Sequence, residues 1–452
     1  MGPSSDLLAF FSRMKSQGAI IVEDLPKFDV ESYISNYQGR TRFDRLMLLG
    51  ESSVPLCVDA LKAAVVEAKN GRDVGRYRGA WEYIRVAAPN EPEAIRDNAW
   101  IESTETANKA ETARLEVELK GYRNNLIKES IRMGNEDLGT HLEETGHLKE
   151  AAEAYGRMRH DVGTTKHIVD CAQHLVSVAL QRRDWVSVIS NASKVSGLQA
   201  TDLERDLQPY LKAVSGIGQL GLGKYHEAAA SFLQINSAGS LESLQGLITS
   251  NDIAIYGGLL ALATMDRKDL QTKVLDNPTF RTFLEHEPHV RKAISQFING
   301  RYSTCLSTLE VLQTDCLLDL YMQKHVATIF TRIRRKCIVQ YFIPFSCVTI
   351  QSLDEAFGRG GNSIEDELAS MIRDGALSAR IDSKSKLLVA VSTDPRAKMQ
   401  AKALNVARKY EHEAKERLRR INVIASGLEV TRGKRQTDEH WYEGERTSVL
   451  TG

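Results

Sequence analysis

The chain has 452 residues, 42% hydrophobic and 26% charged, enough for a sizeable core and roughly two to four domains. Lys plus Arg and Asp plus Glu both number 59, which excludes a general electrostatic pull on nucleic acid and leaves only a local patch for such a role. Cys57, Cys171, Cys305, Cys316, Cys337 and Cys347 stand singly in apolar surroundings, and no run reaches the ~18 apolar residues of a spanning helix, so a soluble intracellular chain with reduced thiols and no membrane contact is expected.

Ten prolines in this length, with charged and apolar residues recurring at helical spacing, predict a mostly α protein. Residues 1–90 read as an N-terminal helical region. Over 91–133 there is no proline after Pro92, and Leu115, Leu119, Tyr122 and Leu126 form one apolar stripe, so a single long linking helix is expected.

Self-comparison is more informative over 134–324. The stretch "GHLKEAAEAY" from Gly146 is repeated in pattern by "GKYHEAAASF" from Gly223 and "GRYSTCLSTL" from Gly300. Looser copies start at Gly75 and Arg183, and the intervals fit one or two units of a period near that of tetratricopeptide repeats. In this pattern the glycine closes a first helix where φ > 0 is needed. An aromatic residue or Leu plugs the groove, and a small residue lets the second helix approach. The prediction is a TPR-like helical-repeat solenoid.

Two patterns inside the repeats mimic nucleotide sites. "GIGQLGLGKY" (216–225) spells both G-x-G-x-x-G and G-x4-G-K, but a helix rather than a strand precedes it, and Tyr225 stands where magnesium chemistry needs Ser or Thr. His167, Cys171 and His174 share one helix face with no fourth ligand nearby in sequence, which reads as helix packing. No nucleophile, H-x-H or H-E-x-x-H pattern occurs, so no catalytic residue, metal or cofactor is expected.

Residues 325–395 read as a winged helix. The helix "HVATIFTRIRRKCIVQYF" carries the basic cluster Arg332, Arg334, Arg335 and Lys336 on its expected solvent or partner side. A helix over Ser363–Asp374 follows, with Ser363 and Asp366 as a capping box. Leu377, Ala379 and Ile381 then alternate on one strand, and Leu387 and Val389 on the return strand. A DNA-reading winged helix presents Arg, Lys, Asn or Gln to the groove. This one carries Glu365, Asp366, Glu367 and Asp374 against Arg373, so no nucleic-acid partner is expected. The hairpin is expected instead to pair edge to edge with a neighbouring chain.

Over 396–427, Met399, Val406, Tyr410, Leu418 and Ile421 recur at threes and fours along about eight helical turns, with no core of the same chain left to join. A bundle with helices of other chains is expected. Residues 428–452 are polar and read as a disordered tail.

A helical-repeat solenoid capped by a winged helix resembles the PCI-domain proteins of the proteasome lid, the signalosome and an initiation-factor complex. The segments "YQGRTRFDRL", "NNLIKESIRMGNEDLGTHLEETG", "SNDIAIYGGLLALATMDR", "EPHVRKAI", "LLDLYMQKHV" and "DELASMIRDGALSARIDSKSKLLVA" most resemble the subunit-one family of the COP-nine signalosome. The resemblance implies a PCI domain over about 225–395 and a non-catalytic scaffold in the complex that removes a ubiquitin-like modifier from cullins. It also implies partners among the other signalosome subunits and cullin-RING ligases, and a location in cytoplasm and nucleus. A paralogous proteasome-lid subunit, or a nucleic-acid-binding PCI protein, are the alternative readings.

Overall fold

The computed structural model describes residues 5–197, 201–236, 246–358, 364–391 and 395–428. Helices Ser5–Ser16, Gly39–Ser52, Cys57–Asn70 and Val74–Ala87 make the N-terminal region. Antiparallel pairs follow, including Lys128–Glu144 with Leu148–Met158, Thr165–Gln181 with Trp185–Ser196, Thr201–Gly221 with Tyr225–Leu233, and Pro288–Ile298 with Tyr302–Leu317.

The repeat pattern has a direct physical cause. Gly146, Gly223 and Gly300 all have positive φ, and the next residue's N–H returns to a carbonyl five residues back: His147 to Leu142, Lys224 to Gln219, Arg301 to Gln296. That bond ends each first helix and starts the hairpin. Arg183 takes the same place with φ 55°. Five and nine residues beyond each start, the side chains are buried: Ala151 and Tyr155, Val188 and Ala192, Ala228 and Phe232, Cys305 and Leu309. The copy at Gly75 keeps the burial (Tyr77, Ala80, Ile84), but its glycine lies inside the helix Val74–Ala87 rather than in the turn. A second small residue sets the spacing: a Cβ on Gly139 would lie 2.6 Å from the Tyr155 ring, and one on Gly216 would lie 2.7 Å from Phe232.

The expected single linking helix is two helices. Asn98–Asn125 ends at Leu126, which adopts left-handed φ 57°, and Lys128–Glu144 runs back along it. No Gly or Pro marks the break. The ring of Tyr122 fits onto Gly134 of the returning helix, which holds the elbow closed.

The largest core is continuous from Val169 to Leu388, so the later repeats and the winged helix share one interior, while the first hairpin packs with Leu115 and Leu119 in a separate cluster. A second core of N-terminal residues, from Leu7 to Ile101, also takes in Leu318 and thereby docks the N-terminal region on the end of helix Tyr302–Leu317. The winged helix carries a three-stranded antiparallel sheet in the order β1 (Cys347–Thr349), β3 (Leu387–Ala390), β2 (Ala379–Asp382). The sequence predicts only the β2–β3 hairpin. The third strand makes the return strand central rather than an edge. The acidic helix runs over Ile364–Arg373; its expected cap Ser363, and the tail beyond 428, lie outside the described residues. Among the described residues no helix is long and apolar enough to cross a membrane. Five cysteines are buried, and Cys347 is exposed on β1.

Candidate partner-binding surfaces

The ten residues expected to meet partners fall into three classes. Leu377 and Ala379 are buried in the winged helix's own core and are not available to another chain. Ile381 packs against that core and pairs with Leu388, whereas Leu387 and Val389 point to the opposite face of the sheet. The buried residue of the return strand is Leu388, one place from the expected set; Val389 is 39% exposed. Three consecutive apolar residues, Leu387, Leu388 and Val389, leave the alternation without a phase, and packing against Val348 and Ile381 selects Leu388.

The sheet has two outer edges. Bonds from Ala390 N–H to Ser346 O and from Ile350 N–H to Lys386 O fix the β1–β3 ladder, and one from Val391 N–H to Ser378 O fixes β3–β2. Antiparallel alternation then turns the backbone groups of Cys347 outward from β1 and those of Ile381 outward from β2. The β2 edge is flanked by exposed Arg380 and Asp382, charges that discourage pairing. Beside β1 stand Ile343, 65% exposed, and Phe345, 44% exposed. The β1 edge is the better template for an added strand.

Met399, Val406, Tyr410, Leu418 and Ile421 all lie on the helix Pro395–Ala425 and are 59–76% exposed. Leu404, Val423 and Ile424 on the same helix, and Leu428 just beyond it, are exposed as well and escaped the sequence analysis because they fall off the chosen stripe. The helix holds nine Lys or Arg against three Glu in a chain of zero net charge.

Of the basic cluster only Arg332 keeps the expected exposed side; Arg334, Arg335 and Lys336 are engaged within the chain. Arg334 is buried, with Nε 3.0 Å from Glu367 and Nη2 donating to Phe357 O at 2.6 Å; Arg335 meets Asp374 at 3.0 Å. Lys336 donates to Leu262 O at 2.7 Å and to Met265 O, and burial pushes its pKa down to about 8. Arg332 stacks over Tyr225. The acidic helix is therefore the counter-charge of its own domain's basic helix. His174 stacks on Tyr155, the Cys171 thiol donates to Tyr155 O, and His167 lies beside Glu129, so that trio is engaged in helix packing. Gly216, Gly218 and Gly221 face Phe232, Ile189 and Trp185 within the helix pairs.

The most elaborate polar site is one the sequence did not reveal. Fully buried Arg45 binds Asp319 at 2.7 Å and Asp252 at 3.4 Å, donates to Tyr33, and lies 4.0 Å over the Tyr37 ring. Tyr37 donates to Asp252 and Tyr256 to Asp319, each at 2.7 Å. Burial opposes the guanidinium charge, but Tyr33, Asp252, Asp319 and Tyr37 outweigh it and hold the Arg45 pKa above its usual value; burial raises that of Asp252. Beside this site, a cleft of about 820 Å3 separates the N-terminal helices from the repeats. Across it Arg40 pairs with Asp73 at 2.7 Å and Arg76 with Asp44 at 3.2 Å. Both features brace the N-terminal region against the body. "YQGRTRFDRL", "SNDIAIYGG" and "LLDLYMQKHV", far apart in sequence, supply Tyr37 and Arg45, Asp252 and Tyr256, and Asp319 to this one place.

A family model for the 26S proteasome subunit RPN7 matches residues 97–273, and one for the PCI domain matches 306–391. COP9 signalosome complex subunit 1 of Neurospora crassa is 48% identical over 94% of this chain and 93% of that relative. The subunits of the same name from Emericella nidulans and Arabidopsis thaliana are 45% and 35% identical, over 95% and 94% of this chain and 89% and 96% of their own lengths. With the repeat solenoid, the winged helix and these relatives together, the chain belongs to the COP9 signalosome complex subunit 1 family.

Proposed function

We propose that this chain is a non-catalytic scaffold subunit of a COP9 signalosome, joined to its neighbours by the C-terminal helix and the β1 edge of the wing. The observation that carries the reading is the bare helix Pro395–Ala425, about 46 Å long, with its apolar residues in solvent. A helix with this much exposed apolar surface is stabilised by packing, and the stripe at threes and fours suits a bundle of helices. Its excess of basic residues calls for acidic neighbours in that bundle. In this reading the complex removes a ubiquitin-like modifier from cullins in the cytoplasm and nucleus, and so regulates cullin-RING ligases. The isopeptidase belongs to a different subunit.

The match to the proteasome subunit model over 97–273 favours a second reading, a proteasome-lid scaffold. Mass spectrometry of what the tagged full chain recovers from its own cells separates the two. Signalosome subunits and cullins are expected; lid subunits in their place would overturn the proposal. The purified chain alone should release no modifier from a conjugated cullin.

A further inference from the structure

The elbow between helices Asn98–Asn125 and Lys128–Glu144 is a surface that assembly through the winged helix and C-terminal helix does not use. Every residue from Lys120 to Glu129 is exposed. Leu126 is 80% and Ile127 55% exposed, and Tyr122 shows the outer part of its ring. Lys120, Arg123 and Lys128 lie within six residues of Leu126 and form no ion pair among the described residues; exposed Glu116 stands one turn before Lys120 on the same helix face, and Glu129, next to Lys128, is taken up by Arg132 at 2.7 Å. Ile127 offers no side-chain cap, so the first N–H groups of helix Lys128–Glu144 add positive potential to the same spot.

Leu126 is unusual in a second, independent respect. It occupies left-handed backbone at φ 57°, where a non-glycine residue is strained, and two asparagines, which tolerate that conformation, immediately precede it. Strain and exposure of a large aliphatic side chain both work against stability, and strained residues cluster at active sites, ligand clamps and switch regions. The elbow is nevertheless firmly built: the Tyr122 ring packs on Gly134, and Leu119 beneath it is buried.

We propose that the elbow is a docking site for an acidic segment of a partner protein that carries aliphatic or aromatic anchors. Leu126, Ile127 and Tyr122 receive the anchors, and Lys120, Arg123 and Lys128 receive the carboxylates. The mixture selects this partner: three cations are too few for a nucleic-acid track, and three apolar residues are too few for a stable hold on a membrane.

The test uses the full-length chain. A phage library of random 12-residue peptides is panned on it, with the Lys120→Glu, Arg123→Glu, Lys128→Glu variant as counter-selection. Selected peptides should combine Asp or Glu with Leu, Ile or Phe. Their binding, measured by calorimetry, should fall at least tenfold with that variant and with raised salt. Leu126→Asn should also weaken binding severalfold, while leaving the melting temperature equal or higher because Asn accepts left-handed backbone. Peptides without that composition, or equal binding by the variants, would overturn the proposal. So would a lower melting temperature for Leu126→Asn, which would make Leu126 a structural residue. Tighter, elbow-dependent binding of phosphatidylserine vesicles or of a 20-nucleotide single-stranded DNA would overturn it in favour of a lipid or nucleic-acid site.

Discussion

Replacing Arg45 by Met keeps much of its volume and removes its charge. Asp252 and Asp319 would then be two buried carboxylates with no cation between them. Breaking a buried ion pair by removing one partner costs about 3–5 kcal/mol. Here the remaining donors soften the loss: Asp319 keeps Tyr256 and the N–H groups of Tyr321 and Met322, and Asp252 keeps Tyr37 and the N–H of Thr249. The lower end, about 3 kcal/mol, is expected. Because the brace joins helix Gly39–Ser52 to the body, the loss should surface as local opening. Amides of 39–52 should exchange about a hundredfold faster, since each 1.4 kcal/mol is a factor of ten. The sign of the pH dependence follows from Asp252, whose pKa burial already raises. A carboxyl with a raised folded pKa takes up its proton more readily in the folded state, so lowering pH stabilises the folded variant relative to the unfolded chain. The deficit against wild type, corrected for intrinsic exchange, should shrink from pH 7 towards pH 4. Unchanged protection over 39–52, or a deficit that widens in acid, would refute the brace.

Gly216→Val should destabilise the chain by about 1–3 kcal/mol in denaturant melts, because the new side chain meets the buried Phe232 ring. ATP or NADH should protect neither form, and nucleotide protection lost with Gly216 would restore the phosphate-loop reading. Cys347→Pro should leave the wing folded yet weaken assembly, whereas Val389→Pro, on the central strand paired on both sides, should unfold the wing itself; circular dichroism and co-purification distinguish them. Lys336, with its pKa lowered to about 8 by burial, gives the folded state fewer protons than the unfolded state above that pH. Wild-type stability relative to Lys336→Met should therefore rise between about pH 8 and 10.4, by at most about 1.4 kcal/mol per unit; a flat difference would place Lys336 in solvent.

The repeats were legible because their chemistry is local. A turn glycine, a groove plug and a small residue recur at fixed offsets, and each offset lands on a buried side chain such as Ala151, Ala228 or Cys305. The wing was legible as a hairpin but not as a sheet. A three-residue strand at Cys347–Thr349 has too little pattern to detect, and its presence moves Val389 from an edge to the centre. The bend at Leu126 carries no Gly or Pro, so sequence alone extends the helix through it. The basic cluster misled for a different reason. Charged residues are mostly exposed, and only the three-dimensional fold shows Glu367 and Asp374 lying opposite Arg334 and Arg335. Arg45 was hidden by the same expectation, its counter-ions lying more than two hundred residues away.

The C-terminal helix is where the scaffold reading is most exposed to test. A chain ending before Pro395 loses Met399, Val406, Tyr410, Leu418 and Ile421 but nothing of the repeats or the wing strands. Burial of large apolar side chains is worth about 1.5–3 kcal/mol each, so their loss removes several kcal/mol from any bundle even after ordering costs. The decisive measurement pairs thermal melting of the truncated monomer with its incorporation during co-expression with the other signalosome subunits. The account predicts an unchanged melt and severely reduced incorporation, reproduced by Leu418→Asp with Ile421→Asp; a truncated chain that melts early, or one that assembles normally, would contradict it.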